Sequence, residues 1–397
     1  MGHQEQELLS VYRDHGVLPK SSRDDNFNKP SEDLSGYQLV RPGDLVINKM
    51  KAWQGSVAIS RHAGIVSPAY YVYRPRGDFH GGYLHHLLRS RPYIAQYAAA
   101  SSGIRPNQWD LEHERLSEIP LLSPPRTVQG LIANFLDRKT AQIDALIGAY
   151  ERLIALLEEK REAVITQATT KGLDPTVPMK DSGVPWFGRV PAHWDLRAFK
   201  RVATIAEGQV DPATPEYQCR ILIAPDHIEK GTGRLLKKET ANQQAAISGK
   251  YLVRPSQIVY SKIRPELNKL CLSHGEWLCS ADMYPVSPMA GVDLQWLFYF
   301  MLSKPFVASV VSSAPRVAMP KVNRDELGSV PILIPPAAEQ KAVAARLKDE
   351  LFSIDELASK TGLAIDLLKE YRAALITSAV TGEIDVREEG NPDAAEG

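Results

Sequence analysis

Two stretches of the chain repeat apolar residues mainly at intervals of three and four, the spacing that puts side chains on one face of an α-helix. They run from Arg126 to about Thr170 and from Ala337 to Thr381, and neither contains a proline. At 1.5 Å per residue, a helix of about 45 residues is roughly 65 Å long, too long for one small domain to cover. We therefore predict two long helices that pack on each other in antiparallel fashion.

Ahead of each predicted helix, short β-rich runs separated by glycine and proline predict strands. These runs are Leu45 to Asn48, Ser56 to Ile59, Ala69 to Tyr73, Gln257 to Ser261 and Lys269 to Leu272. Each part also contains one amphipathic helical stretch, Gly82 to Tyr97 or Leu294 to Val311. The predicted fold class is α/β (α+β), with two globular domains separated by two long helices that form an antiparallel coiled coil. The alternative is two ordinary helices inside two separate cores.

The chain repeats itself, which is the strongest feature of the sequence. Leu39 to Val46 (LVRPGDLV) matches Leu252 to Val259 (LVRPSQIV), and the same offset pairs Lys49 with Lys262. At a slightly shorter offset, Gln129 matches Gln340 and Arg161 matches Arg372. A doubled unit therefore predicts these segments: a first domain at 1–125, a helix at 126–172, a second domain at 173–336 with a linker to about 183, a helix at 337–382 and an acidic tail at 383–397.

Composition is typical of a soluble globular protein. Apolar residues make up 44% and charged residues 24% of the chain, and no run of 18 apolar residues occurs that could span a bilayer. The first residues have neither a basic nor an apolar leader region, so we expect the protein in the cytoplasm. Lys and Arg number 47, as do Asp and Glu, but residues 180–336 hold 19 basic against 14 acidic residues. Charge alone therefore neither supports nor excludes a nucleic-acid partner.

Motifs for catalysis are missing from the sequence. It has no GxxxxGK[ST] loop, no GxGxxG, no HExxH and no Asn/Asp-Pro-Pro-aromatic tetrapeptide. Pro225-Asp226 with Glu229-Lys230 has the wrong spacing for a nuclease metal site, and we interpret these residues as a turn. His85-His86 lacks nearby ligand partners, and Cys219, Cys271 and Cys279 lack zinc spacing. We therefore predict no catalytic and no metal-binding residues, although a triad assembled from distant residues stays open.

Two loops in each copy carry residue types suited to contacting DNA. Cations bind phosphates, amides and arginine read base edges, and aromatic side chains add flat contact surface. The copies agree in strands and helices but diverge in these loops, as two readers of different half-sites would. The predicted DNA-binding residues are Lys49, Lys51, Trp53, Gln54, Arg105, Asn107, Gln108, Lys262, Arg264, Asn268, Lys269, Arg316, Lys321 and Asn323. The alternative for each is an ordinary solvated surface residue.

Three segments resemble those of Type I restriction specificity subunits. Gly183 to Trp194 (GVPWFGRVPAHW) resembles the entry to a target-recognition domain, Tyr37 to Asn48 the shared strand, and Pro124 to Gln129 the start of the conserved helix. The resemblance covers most of the chain. It implies a non-catalytic subunit with two target-recognition domains, each reading one half of a split site in double-stranded DNA.

The resemblance also implies partners and cofactors. Two modification subunits, adenine methyltransferases that hold S-adenosylmethionine, would grip the helices, and restriction subunits would add translocation and cleavage driven by ATP with Mg. No cofactor and no membrane is expected for this chain itself. Val184 to Ala213 have no equivalent in the first copy, so we expect an incomplete first domain and a true start upstream of Met1.

Two other classes of function remain open from the sequence. A duplicated coiled-coil adaptor that binds only proteins would share the helices and the repeat. A self-sufficient nuclease or methylase is disfavoured by the missing motifs.

Overall fold

The structure is a computed structural model that describes residues 6–13, 15–23, 31, 33–103, 109–313 and 320–387. The chain divides into two compact units. Unit 1 comprises residues 1–152 and 361–397, and unit 2 comprises residues 153–360. The unit boundaries fall inside the two long helices, so each unit contains one globular part and about half of each helix.

The described residues of unit 1 form nine short strands, three short α-helices and parts of the two long helices. Its elements are β1 (Leu9–Tyr12), β2 (Gly16–Pro19), β3 (Gln38–Val40), β4 (Leu45–Asn48), β5 (Val57–Ile59), β6 (Gly64–Val66), β7 (Tyr70–Tyr73), α1 (Gly81–Leu88), α2 (Arg91–Ala99), β8 (Ser101–Ser102), β9 (Asp110–Leu111), α3 (His113–Ser117) and the start of α4 (Arg126–Lys171).

Unit 2 continues from α4 with a larger set of strands. Its elements are β10 (Met179–Asp181), β11 (Arg189–Pro191), β12 (Asp195–Ala198), β13 (Ala203–Ile205), α5 (Pro215–Gln218), β14 (Leu222–Ile223), β15 (Tyr251–Val253), β16 (Ile258–Ser261), β17 (Leu270–Leu272), β18 (Trp277–Cys279), β19 (Met283–Pro288), α6 (Leu294–Leu302), α7 (Lys304–Ser313), α8 (Arg324–Ser329), β20 (Pro331–Ile334) and the start of α9 (Ala337–Thr381), whose end returns to unit 1.

The strands confirm the internal repeat. The first residues of the five strands β3 to β7 are separated from those of β15 to β19 by one constant offset, the same that relates Leu39 to Leu252. In unit 1, β4 lies between β5 and β7, and in unit 2, β16 lies between β17 and β19, all in antiparallel register. Unit 2 has one further strand in this sheet, β13, which pairs with the outer edge of β19. The α/β (α+β) prediction is therefore confirmed.

The turn before the central strand shows how the copies diverged. In unit 1, Pro42 is followed by Gly43 at a φ of 92°, which only glycine adopts easily. In unit 2, Pro255 is followed by Ser256 at a φ of 62°. A side chain in this left-handed region is strained by roughly 1–2 kcal/mol.

We expect Ser256→Gly to raise the free energy of unfolding by about 0.5–1 kcal/mol, because it removes this backbone strain. Gly43→Ala, the matched change in unit 1, should lower it by about 1 kcal/mol, since no atom lies within 4 Å of the added Cβ and only backbone strain acts. Urea denaturation of both variants measures the two effects. Equal signs for the two changes would contradict this explanation.

The prediction of a single amphipathic helix ahead of each long helix was wrong, because each stretch forms two helices. Gly82 to Tyr97 forms two helices, α1 and α2, and Leu294 to Val311 forms α6 and α7. In both copies a serine, Ser90 or Ser303, interrupts the helix, and a proline follows two residues later. Proline lacks the N–H and clashes with the preceding helical turn, which is why the chain bends there.

The long helices are confirmed at 46 residues for α4 and 45 residues for α9. Within unit 1, Asp144 of α4 accepts hydrogen bonds of 2.8 and 3.1 Å from Arg372 of α9. Within unit 2, Arg161 of α4 pairs with Asp355 of α9 at 3.3 Å. Because Arg372 is the repeat equivalent of Arg161, and Asp355 is that of Asp144, the repeat places the same ion pair in both units.

Antiparallel packing within each unit follows from the apolar stripes. In unit 1, Ile132 and Leu136 near the start of α4 share a core with Ile376 and Val380 near the end of α9. In unit 2, Ile165 near the end of α4 shares a core with residues near the start of α9, namely Val343, Leu347, Leu351 and Ile354. Each globular part is thereby joined to its own section of a helix pair.

A buried glutamine fixes the start of each long helix on its globular part. The Gln340 amide donates to the carbonyls of Pro335 (2.8 Å) and Gly291 (3.2 Å), and its oxygen accepts from Asp293 N (2.7 Å). Asp293 in turn caps α6. Gln129 makes the equivalent three bonds in unit 1, including one from His80 N, and His80 caps α1. The backbone groups that these amides satisfy would otherwise be buried without partners.

Two further features bear on the sequence predictions. Of the predicted acidic tail, residues to 387 are described, and Val386 is buried in the core of unit 1, so the packed chain extends beyond Gly382. No single helix among the described residues is long and apolar enough to cross a membrane. Only α6 and α7, bent by 69°, pass such a test together, and they lie in the core of unit 2.

Candidate nucleic-acid interface

In unit 1 the candidate site begins where β4 ends. Lys49 follows the strand, and its ammonium lies 4.4 Å from the ring centre of Tyr71 on β7 and donates to the carbonyl of Pro68 at 3.0 Å. The Tyr71 hydroxyl donates to the carbonyl of Leu111 at 3.2 Å, and burial raises the pKa of this tyrosine. A cation that stacks on a ring is held in place while some of its N–H donors remain free.

The turn after Lys49 exposes two of the predicted residues, Lys51 and Gln54. Trp53 is half-buried, and its indole N–H donates to the carbonyl of Met50 at 3.0 Å. Its ring centre lies 5.0 Å from that of Trp109, which is not among the DNA-binding residues predicted from the sequence. Trp109 directly follows Gln108, one of the predicted residues, and this position in the sequence was the signal that could have found it. The structure thus brings two tryptophans together beside an exposed lysine and an exposed amide.

Unit 2 repeats the lysine and the tyrosine. Lys262 lies 5.3 Å from the ring centre of Tyr284, and the Tyr284 hydroxyl donates to the carbonyl of Val322 at 3.4 Å. Burial raises the pKa of Tyr284 as it does for Tyr71. Arg324 adds a second cation, 5.2 Å from the same ring centre. Lys262 and Tyr284 are the repeat equivalents of Lys49 and Tyr71, so both sites contain the same lysine–tyrosine pair.

Arg264 is an exposed cation of the second site. Its backbone has a φ of 48°, and its N–H donates to the carbonyl of Pro320 at 2.9 Å. Its guanidinium is exposed and has no partner among the described residues. Ile263 forms a β-bridge with Lys321, whose ammonium pairs with Asp282 at 3.3 Å. The loop after β16 and the segment before α8 therefore meet, with Arg264 free to bind an anion or a base edge.

Three predicted residues of unit 2 have structural partners. Asn268 is only 5% exposed, and its amide donates to the carbonyl of Met301 at 3.0 Å, so burial removes it from the candidate site. The Asn323 side-chain oxygen accepts from two N–H groups of α8 at 2.9 Å, in a capping box with Glu326. Lys269 donates to the carbonyl of Pro225 at 2.8 Å. Asparagine at a helix start or in a left-handed turn often has such a role.

Lys230 lies at the second site, although the sequence indicated only a turn at Glu229-Lys230. Gly231 N donates to the carbonyl of Asn268 at 3.2 Å, which brings this turn beside the loop that contains Arg264. Lys230 is exposed and has no partner among the described residues. Four cations close together were a signal in the sequence: Lys230, Arg234, Lys237 and Lys238.

Four of the predicted residues lie outside the described part of the chain: Arg105, Asn107, Gln108 and Arg316. The residues that flank them are described. Leu111 N donates to the carbonyl of Lys49 at 3.0 Å, and Val322 N donates to the carbonyl of Lys262 at 2.9 Å. In each unit a described residue that follows the predicted segment is therefore bonded to the backbone of the lysine at the site.

The histidine pair His85-His86 packs within unit 1. His86 of α1 lies 2.7 Å from Asp137 of α4, and its hydrogen bond lowers the pKa of Asp137. Burial lowers the pKa of His85 to about 3. Within the described ranges, no group of three or more His, Cys, Asp or Glu side chains is placed to hold a metal ion.

Comparison with known proteins gives the chain named relatives. The Type I restriction enzyme EcoDI specificity subunit of Escherichia coli is 28% identical over 298 residues, which cover 71% of this chain and 66% of that protein. The Type I restriction enzyme MjaVIII specificity subunit of Methanocaldococcus jannaschii is 24% identical over 281 residues, which cover 68% of this chain and 63% of that protein. The chain thus spans just under two thirds of the length of each. No family model matches it.

Two solved structures share the fold. One chain, from a study of complex assembly and conformational transition of the type I R-M system, matches with a TM-score of 0.64 and 17% identity over 89% of this chain and 85% of that chain. The HsdS subunit from Thermoanaerobacter tengcongensis matches with a TM-score of 0.51 and 16% identity over 89% and 84%.

Proposed function

We propose that this chain belongs to the family of Type I restriction specificity subunits and is the non-catalytic, DNA-reading subunit of a Type I restriction-modification complex. One structural observation supports the proposal independently of the comparisons. In each unit, a lysine at the end of the equivalent strand, β4 or β16, lies on a tyrosine ring. The loops around this lysine–tyrosine pair differ between the units. A repeated scaffold with divergent loops suits a split target whose two halves have different sequences.

The exposed residues divide into two roles. Lys51 in unit 1 and Lys230 in unit 2 are surface cations that would bind phosphates, which gives affinity for any sequence. Gln54 and Arg264 carry the paired donor and acceptor groups, or the forked donors, that recognise adenine or guanine in the major groove. The Trp53–Trp109 pair supplies aromatic contact surface near Gln54. Each unit then reads its half-site with its own chemistry.

The proposed partners follow from family membership. They are double-stranded DNA, two modification subunits with adenine methyltransferase activity, and restriction subunits. S-adenosylmethionine, ATP and Mg would be held by those subunits. The long helices offer them a contact surface, since large apolar side chains such as Leu156, Phe352, Leu363 and Leu367 remain exposed along α4 and α9.

Single substitutions in the two units test whether recognition is split. We expect Gln54→Ala to relax base preference at one half-site and Arg264→Ala at the other, with a loss of about 1–3 kcal/mol for the preferred base pair. The measurement is binding of the chain, assembled with its modification subunit, to a library of duplexes in which each half-site is randomised separately.

Arg254→Ala is the matched control, because Arg254 is an exposed arginine at the opposite end of β16. It should leave base preference at both half-sites unchanged. If Gln54→Ala and Arg264→Ala lower the binding of all sequences equally, these residues do not read bases.

A salt titration distinguishes a DNA reader from a purely protein-binding adaptor. For a reader, the logarithm of the binding constant falls linearly with the logarithm of salt concentration, and Lys230→Ala should make the slope shallower by about 1. Binding of the assembled complex to DNA that lacks this dependence would favour the adaptor.

A further inference from the structure

Unit 1 contains an apolar cavity of about 290 Å³ that opens beside its central sheet. It lies between β7, α3 and the segment that leads to α4, and its lining includes Tyr73, Phe79, Leu116, Ile119 and Leu121. An apolar space of about 150 Å³ already accommodates a benzene ring. The cavity therefore has room for an aromatic side chain together with part of the segment that carries it.

In unit 2 the equivalent surface is covered by a segment of the chain itself. β13 pairs with Val286 to Pro288 of β19, and β12 pairs with β20. Between these strands Phe199 is buried, and its N–H donates to the carbonyl of Val330 at 2.8 Å. Residues 195–205 thus form two strands around one buried aromatic ring.

The repeat shows that the two surfaces correspond. Tyr73 is the repeat equivalent of Val286, and Ile119 is that of Val330. Leu121 and Leu122 are 45% and 47% exposed, whereas their equivalents Ile332 and Leu333 are 0% exposed. Among the described strands, β7 pairs only with β4, so its outer edge has the free backbone groups that β13 satisfies on β19.

The rim of the cavity indicates how its occupant differs from residues 195–205. In unit 2, Arg324 donates to the carbonyls of Ile205 (3.1 Å) and Ala206 (2.6 Å), while in unit 1 the equivalent His113 is bonded to the Tyr73 hydroxyl at 2.8 Å. Met289 N donates to the carbonyl of Val202, and the exposed Arg76 stands at the position of Met289. Charge complementarity with Arg76 favours an acidic residue next to the position of Val202.

We propose that this cavity is a docking groove for an extended polypeptide strand that has an aromatic residue at the position of Phe199, apolar residues at those of Val202 and Ile205, and an acidic residue at that of Arg201. The strand would add to the free edge of β7 and place its ring in the cavity. Main-chain hydrogen bonds at a sheet edge give such binding its affinity, and the side-chain pocket gives its specificity.

A synthetic peptide with the sequence of residues 194–207 and the substitution Arg201→Glu tests the proposal on the full chain. We expect it to bind, and to bind about threefold more tightly than the unsubstituted peptide because of Arg76. A peptide with Phe199→Asp should lose at least about tenfold in affinity. Fluorescence anisotropy measures binding, and hydrogen exchange should show protection at the amides of Tyr73, Arg74 and Leu121, not at those of Val286 and Ser287.

Two variants of the chain provide a matched pair. Leu121→Asp places a charge in the groove and should weaken peptide binding about tenfold. Leu146→Asp changes a leucine of similar exposure on α4 that does not line the cavity, and this variant should bind the peptide as the parent chain does. The proposal is overturned if no peptide binds, if both variants bind equally, or if a small apolar dye held in the cavity is not displaced by the peptide.

Discussion

Arg161→Ala is expected to lower the free energy of unfolding of unit 2 by about 3 kcal/mol. Arg161 is 8% exposed, pairs with Asp355 at 3.3 Å and donates to the carbonyl of Thr232 at 2.9 Å. Burial lowers the pKa of this arginine, which reflects how little water reaches its charge. The alanine variant would leave Asp355 without its cation, leave the Thr232 carbonyl without its donor, and create a cavity between α4 and α9.

The repeat supplies the control for this prediction. Arg372 pairs with Asp144 at the equivalent place in unit 1, but its side chain is 30% exposed and that of Asp144 is 52% exposed. Arg372→Ala should therefore lower the free energy of unfolding by only about 1 kcal/mol or less. Arg161→Met should be less damaging than Arg161→Ala, because it fills the space with apolar atoms. Urea denaturation with hydrogen exchange assigns each loss to a unit, and equal losses for the two alanine variants would contradict the explanation.

Gln340→Leu is expected to destabilise unit 2 by about 3 kcal/mol. Leucine keeps an apolar side chain of comparable size in this space, so packing changes less than it would with alanine. The substitution leaves Asp293 N and the carbonyls of Pro335 and Gly291 without the amide that now satisfies them. A buried backbone group without a partner costs about 1–3 kcal/mol. The readout is the urea midpoint together with the exchange rate of the α6 amides, which Asp293 caps.

Lys341→Leu is the control for surface hydrophobicity at the adjacent, exposed position and should change stability by less than about 0.5 kcal/mol. Gln129→Leu should reproduce the effect of Gln340→Leu in unit 1, because its three hydrogen bonds are equivalent. If only one of the two glutamine variants lowered the stability of its unit, the two glutamines would not have the same role.

Much of the fold could be predicted from the sequence because it depends on periodicity and on the repeat. Apolar spacing located α4 and α9 to within two residues, and β-rich runs located β4 and β16 to within one. The constant offset between the copies predicted that Lys49 and Lys262 take equivalent places, and both are found on a tyrosine of the neighbouring strand. What the spacing missed was local chemistry: Ser90 and Ser303 with their prolines divide two helices that had been predicted as single.

The candidate site was less predictable, because a loop composition does not say which side chains are already bonded. Asn268 and Asn323 have the same residue type as a base reader, yet one is buried on Met301 and the other caps α8. Conversely, Lys230 is distant in sequence from Arg264 and comes close only through the bond between Gly231 and Asn268. The roles of Lys49, Gln54 and Arg264 in reading DNA stay predictions for the binding experiments above.

The position of the unit boundaries has a practical consequence for protein engineering. Among the described residues, the apolar clusters of unit 2 lie within residues 153–360, and those of unit 1 lie outside that block. A chimera that exchanges this single block with that of a relative, with junctions at the midpoints of α4 and α9, keeps all members of each core together. Junctions at the ends of the globular parts, near Arg126 and Ala337, would instead separate side chains that were selected to fit one another.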